Sequence, residues 1–151
     1  METGTPLPPL EVTLADGTPL RLADLPLPAV VYFYPKDDTS GCTREAQDFS
    51  AAGEAFAAAG TSVLGVSKGG AAGKARFAAK HGLTVTLADD ASGAVCDAFG
   101  VWGEKSMYGR TYMGIERATF LFGADGRLVR EWRKLRVSGH AEAVLEAVRS
   151  L

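Results

Sequence analysis

Ala29-Val-Val-Tyr-Phe-Tyr-Pro-Lys-Asp-Asp-Thr-Ser-Gly-Cys42 is the stretch from which the rest of the chain can be read. Its first part, residues 29 to 34, is an unbroken run of apolar residues, mostly β-branched or aromatic, as expected of a strand covered on both faces inside an α/β sheet. Pro35 ends the run. Lys36 to Gly41 form a polar loop, with Thr39 and Ser40 as candidate N-caps for a following helix. That helix is predicted over Cys42 to Ala59, because Ala46, Phe49, Ala52, Phe56 and Ala59 recur at helical spacing before Gly60.

Toward the C-terminus, Ser62 to Ser67 reads as a second buried strand, Ala71 to His81 as a helix stopped by Gly82, and Leu83 to Ala88 as a third strand. Strand and helix alternate, so these strands are expected to be parallel. Asp89 to Phe99 reads as a short helix with Ser92 as a cap and Gly100 as its end. From Val101 to Glu116 the periodicity dissolves and a loop is expected. Ala118 to Phe122, a Gly-Ala-Asp-Gly turn and Arg127 to Arg133 form a hairpin signal, and Ser138 to Leu151 an amphipathic helix facing the core with Ala141, Val144, Leu145 and Val148. Toward the N-terminus, Leu10 to Leu14 alternates, turns at Asp16-Gly17 and resumes at Leu20 and Leu22, a further hairpin. The order suits an α/β, thioredoxin-like sandwich with a central mixed sheet, an N-terminal β-hairpin and an additional helix, in a single domain spanning 1–151. Other doubly wound folds share this coarse order, so topology alone assigns no activity.

Composition narrows the classes. With 151 residues, 46% hydrophobic and 23% charged, the chain can bury one core and is not a disordered, collagenous or disulfide-scaffold protein. A net charge of -2 offers no basic surface for nucleic-acid phosphates. The apolar run at 29 to 34 is far short of the roughly 20 residues that cross a bilayer. Glu2, Pro6, Pro8 and Pro9 interrupt any signal-peptide pattern. A cytoplasmic protein is therefore expected, in a compartment that keeps thiols reduced, with no membrane or nucleic-acid partner. No close Cys/His/Asp cluster suggests a metal, and Lys68 to Ala75 lacks the spacing of a phosphate loop, so no cofactor is expected. His81 and His140 read as capping or surface residues, and the arginines at 127, 130 and 133 as a solvated strand face. Trp102, Met107, Tyr108 and Tyr112 suggest either a collar at a pocket mouth or a dimer contact, with monomer as the default.

The chain has two cysteines, which are either packing residues or chemistry. Cys42 falls in the first turn of its helix, where free backbone N–H groups and the positive end of the dipole favour a thiolate. Thr39, three residues earlier, is placed for its hydroxyl to reach the sulfur or a substrate oxygen beside it, and Pro35 can wall one side of the pocket. Position alone also allows a merely packed cysteine.

Pro35, Thr39 and Cys42 spell P-x-x-x-T-x-x-C, which resembles the peroxidatic motif of peroxiredoxins. Tyr34 to Thr43 as a whole is similar to the peroxiredoxin Q group, also called bacterioferritin comigratory protein. So is a second block, Lys105 to Arg110 and Gly114 to Phe120. The resemblance implies a thiol peroxidase acting on hydrogen peroxide and organic hydroperoxides. Cys42 would be the peroxidatic cysteine, Pro35 and Thr39 its pocket, and Arg117 the active-site arginine, with thioredoxin or a similar thiol as reductant. Arg117 precedes the strand from Ala118, so it reaches Cys42 if that strand neighbours Ala29 to Tyr34. Many relatives carry a resolving cysteine five residues after the first, where this chain has Gln47. Cys96 stands where others in the group place theirs, which implies a Cys42–Cys96 disulfide. The apolar pair Val95 and Phe99 puts Cys96 on the flank of its helix, where a thiol can be exposed without dismantling the core. Resolution by an external thiol is the alternative, and a sensor that does not turn over is another.

Overall fold

The computed structural model describes residues 1–151. Its strands are β1 (Glu11–Leu14), β2 (Pro19–Arg21), β3 (Ala29–Phe33), β4 (Ser62–Ser67), β5 (Thr86–Asp89), β6 (Trp102–Met107), β7 (Arg110–Ile115), β8 (Ala118–Phe122) and β9 (Leu128–Arg133). Its α-helices are α1 (Ser40–Ala51), α2 (Gly53–Ala58), α3 (Ala71–His81), α4 (Ala94–Ala98) and α5 (His140–Arg149). Seven strands form one mixed sheet in the order β2-β1-β5-β4-β3-β8-β9, which is the thioredoxin-like arrangement with its N-terminal hairpin. β3, β4 and β5 run parallel, and β8 is antiparallel to β3. No helix is long and apolar enough to cross a membrane.

β3 is buried along its whole length because both faces of the sheet are covered. Its alternation feeds two separate cores. Val31 and Phe33 join Val66, Ala88, Val95, Cys96, Phe99 and Phe120 on one face. Val30 and Tyr32 join Cys42, Phe49, Phe56, Phe77, Leu121 and Val144 on the other. Gly65, paired with Tyr32 across β3 and β4, leaves room for the tyrosine head, since a Cβ there would stand 2.5 Å from the ring Cζ.

Four expectations need correction. The single helix predicted over 42–59 is two helices that break at Ala52, whose backbone has φ -88° and ψ 2°. Gly53, a poor helix former, follows the break. The third strand begins at Thr86 rather than Leu83. The next helix is confined to Ala94–Ala98, because Asp89 still belongs to β5 and Gly93 turns the chain at φ 81°. Val101 to Glu116 is not a loop. It holds the β6–β7 hairpin, turned at Tyr108 and Gly109 with φ 52° and 75°. Both of its faces are largely solvated, so the apolar alternation that marks a half-buried strand is missing.

Candidate active site

β3 delivers the chain to the C-terminal edge of the sheet, and Pro35 to Thr39 carry it into α1. Thr39 occupies the N-cap position but makes no side-chain cap; its hydroxyl donates to the Lys36 carbonyl at 2.9 Å. Of the two contacts expected for this hydroxyl, the one with sulfur is not made, and Thr39 ties the loop together. Cys42 lies in the first turn of α1, where the Thr43 N–H donates to the Thr39 carbonyl at 2.8 Å. It is only 1% exposed.

Pairing of β3 with β8 sets Phe33 opposite Ala118, so Arg117, one residue earlier, stands beside the end of β3. Its Nη2 donates to Cys42 Sγ at 3.2 Å and its Nη1 to Glu45 Oε1 at 2.6 Å. Gly41 gives the guanidinium space, since a Cβ there would lie 3.3 Å from Nη2. The neighbourhood expected of Arg117 is thus observed, and a fixed cation faces the sulfur.

Sequence reasoning missed Glu45. Its signal was its position three residues after Cys42, on the same face of α1. Glu45 is 1% exposed, and burial pushes its carboxyl up to about 7 against the opposing pull of Arg117. Its Oε2 has no hydrogen-bond partner, and neither has the buried Tyr32 hydroxyl, which burial holds firmly protonated. Arg117 stays charged: burial works against it, but Glu45 and Cys42 together prevail. Lys105 on β6 adds a second, half-buried amine within the field of Arg117 and Cys42.

Cys96 is not on this site. The exposed flank expected for it is instead 0% exposed, because α4 lies flat on the sheet face opposite Cys42. The Asp90 carboxylate caps α4 by accepting from the amides of Val95 at 3.3 Å and Cys96 at 2.8 Å. Burial, then the hydrogen bond and charge of Asp90, push the Cys96 thiol far up. His140 is also buried rather than on the surface, with Nε2 2.8 Å from the Thr119 hydroxyl. Burial, helped by Arg117, lowers its pKa to about 4.

A buried sulfur on a helix N-terminus with a guanidinium against it can hold negative charge and stabilise the charge that develops on an attacked oxygen. The AhpC/TSA family model matches residues 3–131. The chain is 48% identical to the peroxiredoxin Bcp of Xanthomonas campestris over 121 residues, 80% of this chain and 76% of that one. It is 40% identical to the peroxiredoxin Bcp of Bacillus subtilis over 152 residues, 100% of this chain and 97% of that one. A solved structure of the X. campestris bacterioferritin comigratory protein, described for its alkyl peroxide reduction activity, superimposes with a TM-score of 0.90 at 42% identity, covering 99% of this chain and 98% of that one. Sequence and fold agree over most of the chain's length, and the chain belongs to the AhpC/TSA family, within its peroxiredoxin Q or bacterioferritin comigratory group of thiol-dependent peroxidases.

Proposed function

We propose that this chain, as one domain spanning 1–151 in a reducing cytoplasm, reduces hydrogen peroxide and organic hydroperoxides through Cys42. The observation that carries the reading is the 3.2 Å contact between Arg117 Nη2 and Cys42 Sγ. The Cys42 thiolate attacks one peroxide oxygen and the O–O bond breaks. The sulfur is oxidised to a sulfenic acid, and the other oxygen leaves as water or alcohol after taking up a proton. Arg117 steadies the charge on the departing oxygen, and Pro35 and Thr39 shape the loop that leads into the Cys42 helix turn.

Resolution by an external thiol suits the geometry best. A thiol condenses with the Cys42 sulfenic acid, forming a mixed disulfide and releasing water, and a second thiol frees Cys42. Thioredoxin or a small cellular thiol fills this role. The intramolecular route through Cys96 has one observation in its favour: β3 and β5 are parallel, so both cysteines follow the same edge of the sheet. Against it stands the sheet between their two cores, since a disulfide needs Cα atoms within about 7 Å and both helix starts would have to unwind.

Stopped-flow mixing with peroxide tests the reading. The wild type should react much faster than a free thiol and Cys42→Ser should not react; a wild-type rate equal to that of a free thiol overturns it. Intact mass after one equivalent of peroxide and one of a small thiol should give a mixed disulfide at Cys42. A Cys42–Cys96 bridge formed in its place would restore the intramolecular route.

A further inference from the structure

The loop that joins β3 to the Cys42 helix is held from outside by α3, through two consecutive aspartates. Asp37 Oδ1 accepts from the Tyr34 hydroxyl at 2.6 Å, and its Oδ2 accepts from Lys74 Nζ at 3.2 Å. The Lys74 side chain is 0% exposed. Its ammonium also donates to Ser67 Oγ at 2.7 Å and to the Lys68 carbonyl at 2.8 Å, so all three of its donors are used. Lys74 thereby joins α3, the end of β4 and the Cys42 loop at one buried atom. Asp38 comes next, in the left-handed region at φ 61°, which Asp and Asn adopt more readily than other residues with a Cβ. Lys80 Nζ and His81 Nε2, from the last turn of α3, hold its two carboxylate oxygens at 2.7 Å each.

Cys42 is 1% exposed and follows this loop by three residues, in the first turn of α1, so a thiol reaches its sulfenic acid only when the neighbouring backbone moves. We propose that Lys74 is a positioning residue of the Cys42 site, acting through Asp37 to hold the Lys36–Thr39 loop closed, with the Asp38 contacts to Lys80 and His81 as a second, exposed latch on the same loop. The closed loop favours attack on peroxide, and its release admits the reducing thiol. This rests on Cys42 being the reacting thiol. The two half-reactions therefore respond to the latch in opposite directions, which a general loss of stability does not require.

Single-turnover kinetics separate the halves. In Lys74→Met, oxidation of Cys42 by peroxide should slow by about ten- to a hundredfold, the scale on which small misplacements act. Reaction of the pre-formed sulfenic acid with 2-mercaptoethanol should accelerate several-fold. Because Lys74 acts through Asp37, the double variant Lys74→Met/Asp37→Asn should oxidise no more slowly than the slower single variant. Unchanged oxidation, a change of the same sign in both halves, or additive losses would overturn the proposal. If Lys74→Met does not fold, Asp38→Asn, which leaves the core intact and tolerates φ 61°, must show the same opposed changes at smaller size. Amide exchange at Thr43, whose N–H closes the first turn of α1, should quicken in these variants whether or not Cys42 turns over. Unchanged exchange refutes the latch, whereas a wild type that fails to react with peroxide refutes the assignment of Cys42.

Discussion

Cys42 and Cys96 both follow parallel strands of the same sheet, at the same edge, and both are sealed from solvent at 1% and 0% exposure. Burial alone therefore does not distinguish the two cysteines. The charge that faces the sulfur does. Cys42 meets Arg117 at 3.2 Å. Cys96 meets Asp90, which caps α4 and raises the cost of a thiolate there. The same backbone setting, a strand leading into a helix, thus gives two opposite environments, because β8 brings a cation to one face and the turn after β5 brings a carboxylate to the other.

The largest expected effect removes one member of the pair. Cys42→Ser should lose peroxide reactivity by at least about 10⁴-fold, as removal of a nucleophile does, while Cys96→Ser retains it with a small thiol as reductant; stopped-flow fluorescence reads both. Loss of activity in Cys96→Ser would break the comparison.

Arg117→Met tests the charge itself. It should slow the peroxide step by about 10² to 10³-fold, the scale of removing a donor from a developing oxyanion. The protein should stay folded, because Glu45, already pushed up to about 7, can take a proton when its partner is removed. A rate within a few-fold of wild type would show that the guanidinium is not what distinguishes the two sulfurs.

The Cys42 face also carries two groups whose titration should be visible in stability. Glu45 has a folded value near 7 against 4.5 unfolded. The native state holds the extra proton in that window, and stability falls as pH rises through it. His140 has a folded value near 4 against 6.5 unfolded. There the unfolded state holds the extra proton, and stability is lost as pH falls. Each contributes about 3 kcal/mol with opposite sign, so the two largely cancel in the wild type between pH 7 and 4. In Glu45→Gln the His140 contribution stands alone, and urea unfolding should record about 3 kcal/mol more loss on acidification than in wild type. Equal slopes would remove Glu45 from the account.

The smallest effect belongs to Cys96. Iodoacetamide should label Cys42 in the native protein and Cys96 only after denaturation. Cys96→Ser should cost about 1 to 3 kcal/mol, because its hydroxyl enters an apolar core. Rapid native labelling of Cys96 would mean that α4 opens far more readily than its packing suggests.

Much of this was legible in the sequence. Ala71–His81 has the extent that the periodicity indicates, with Gly82 in the left-handed conformation that ends it. The buried run from Ala29 reads as an interior strand because no polar residue interrupts it. The β6–β7 hairpin escaped because few of its side chains face a core, so hydrophobic period carries no information there. Cys96 was misplaced for a different reason. Local geometry put it beside the Val95–Phe99 seam, but α4 is short and pinned by Asp90, and it turns Val95 and Cys96 together into the core while Ala94, Asp97 and Ala98 face solvent.

The chain's order of strands and helices, and a thiol at a helix start with the proline and threonine before it, were determined by local pattern and motif, because these depend on residues near one another in sequence. Only the tertiary structure decided that Arg117 meets Cys42, that Glu45 shares Arg117, and that Lys74 reaches Asp37 from α3. Those contacts join residues 37 to 75 positions apart, and no local periodicity encodes them.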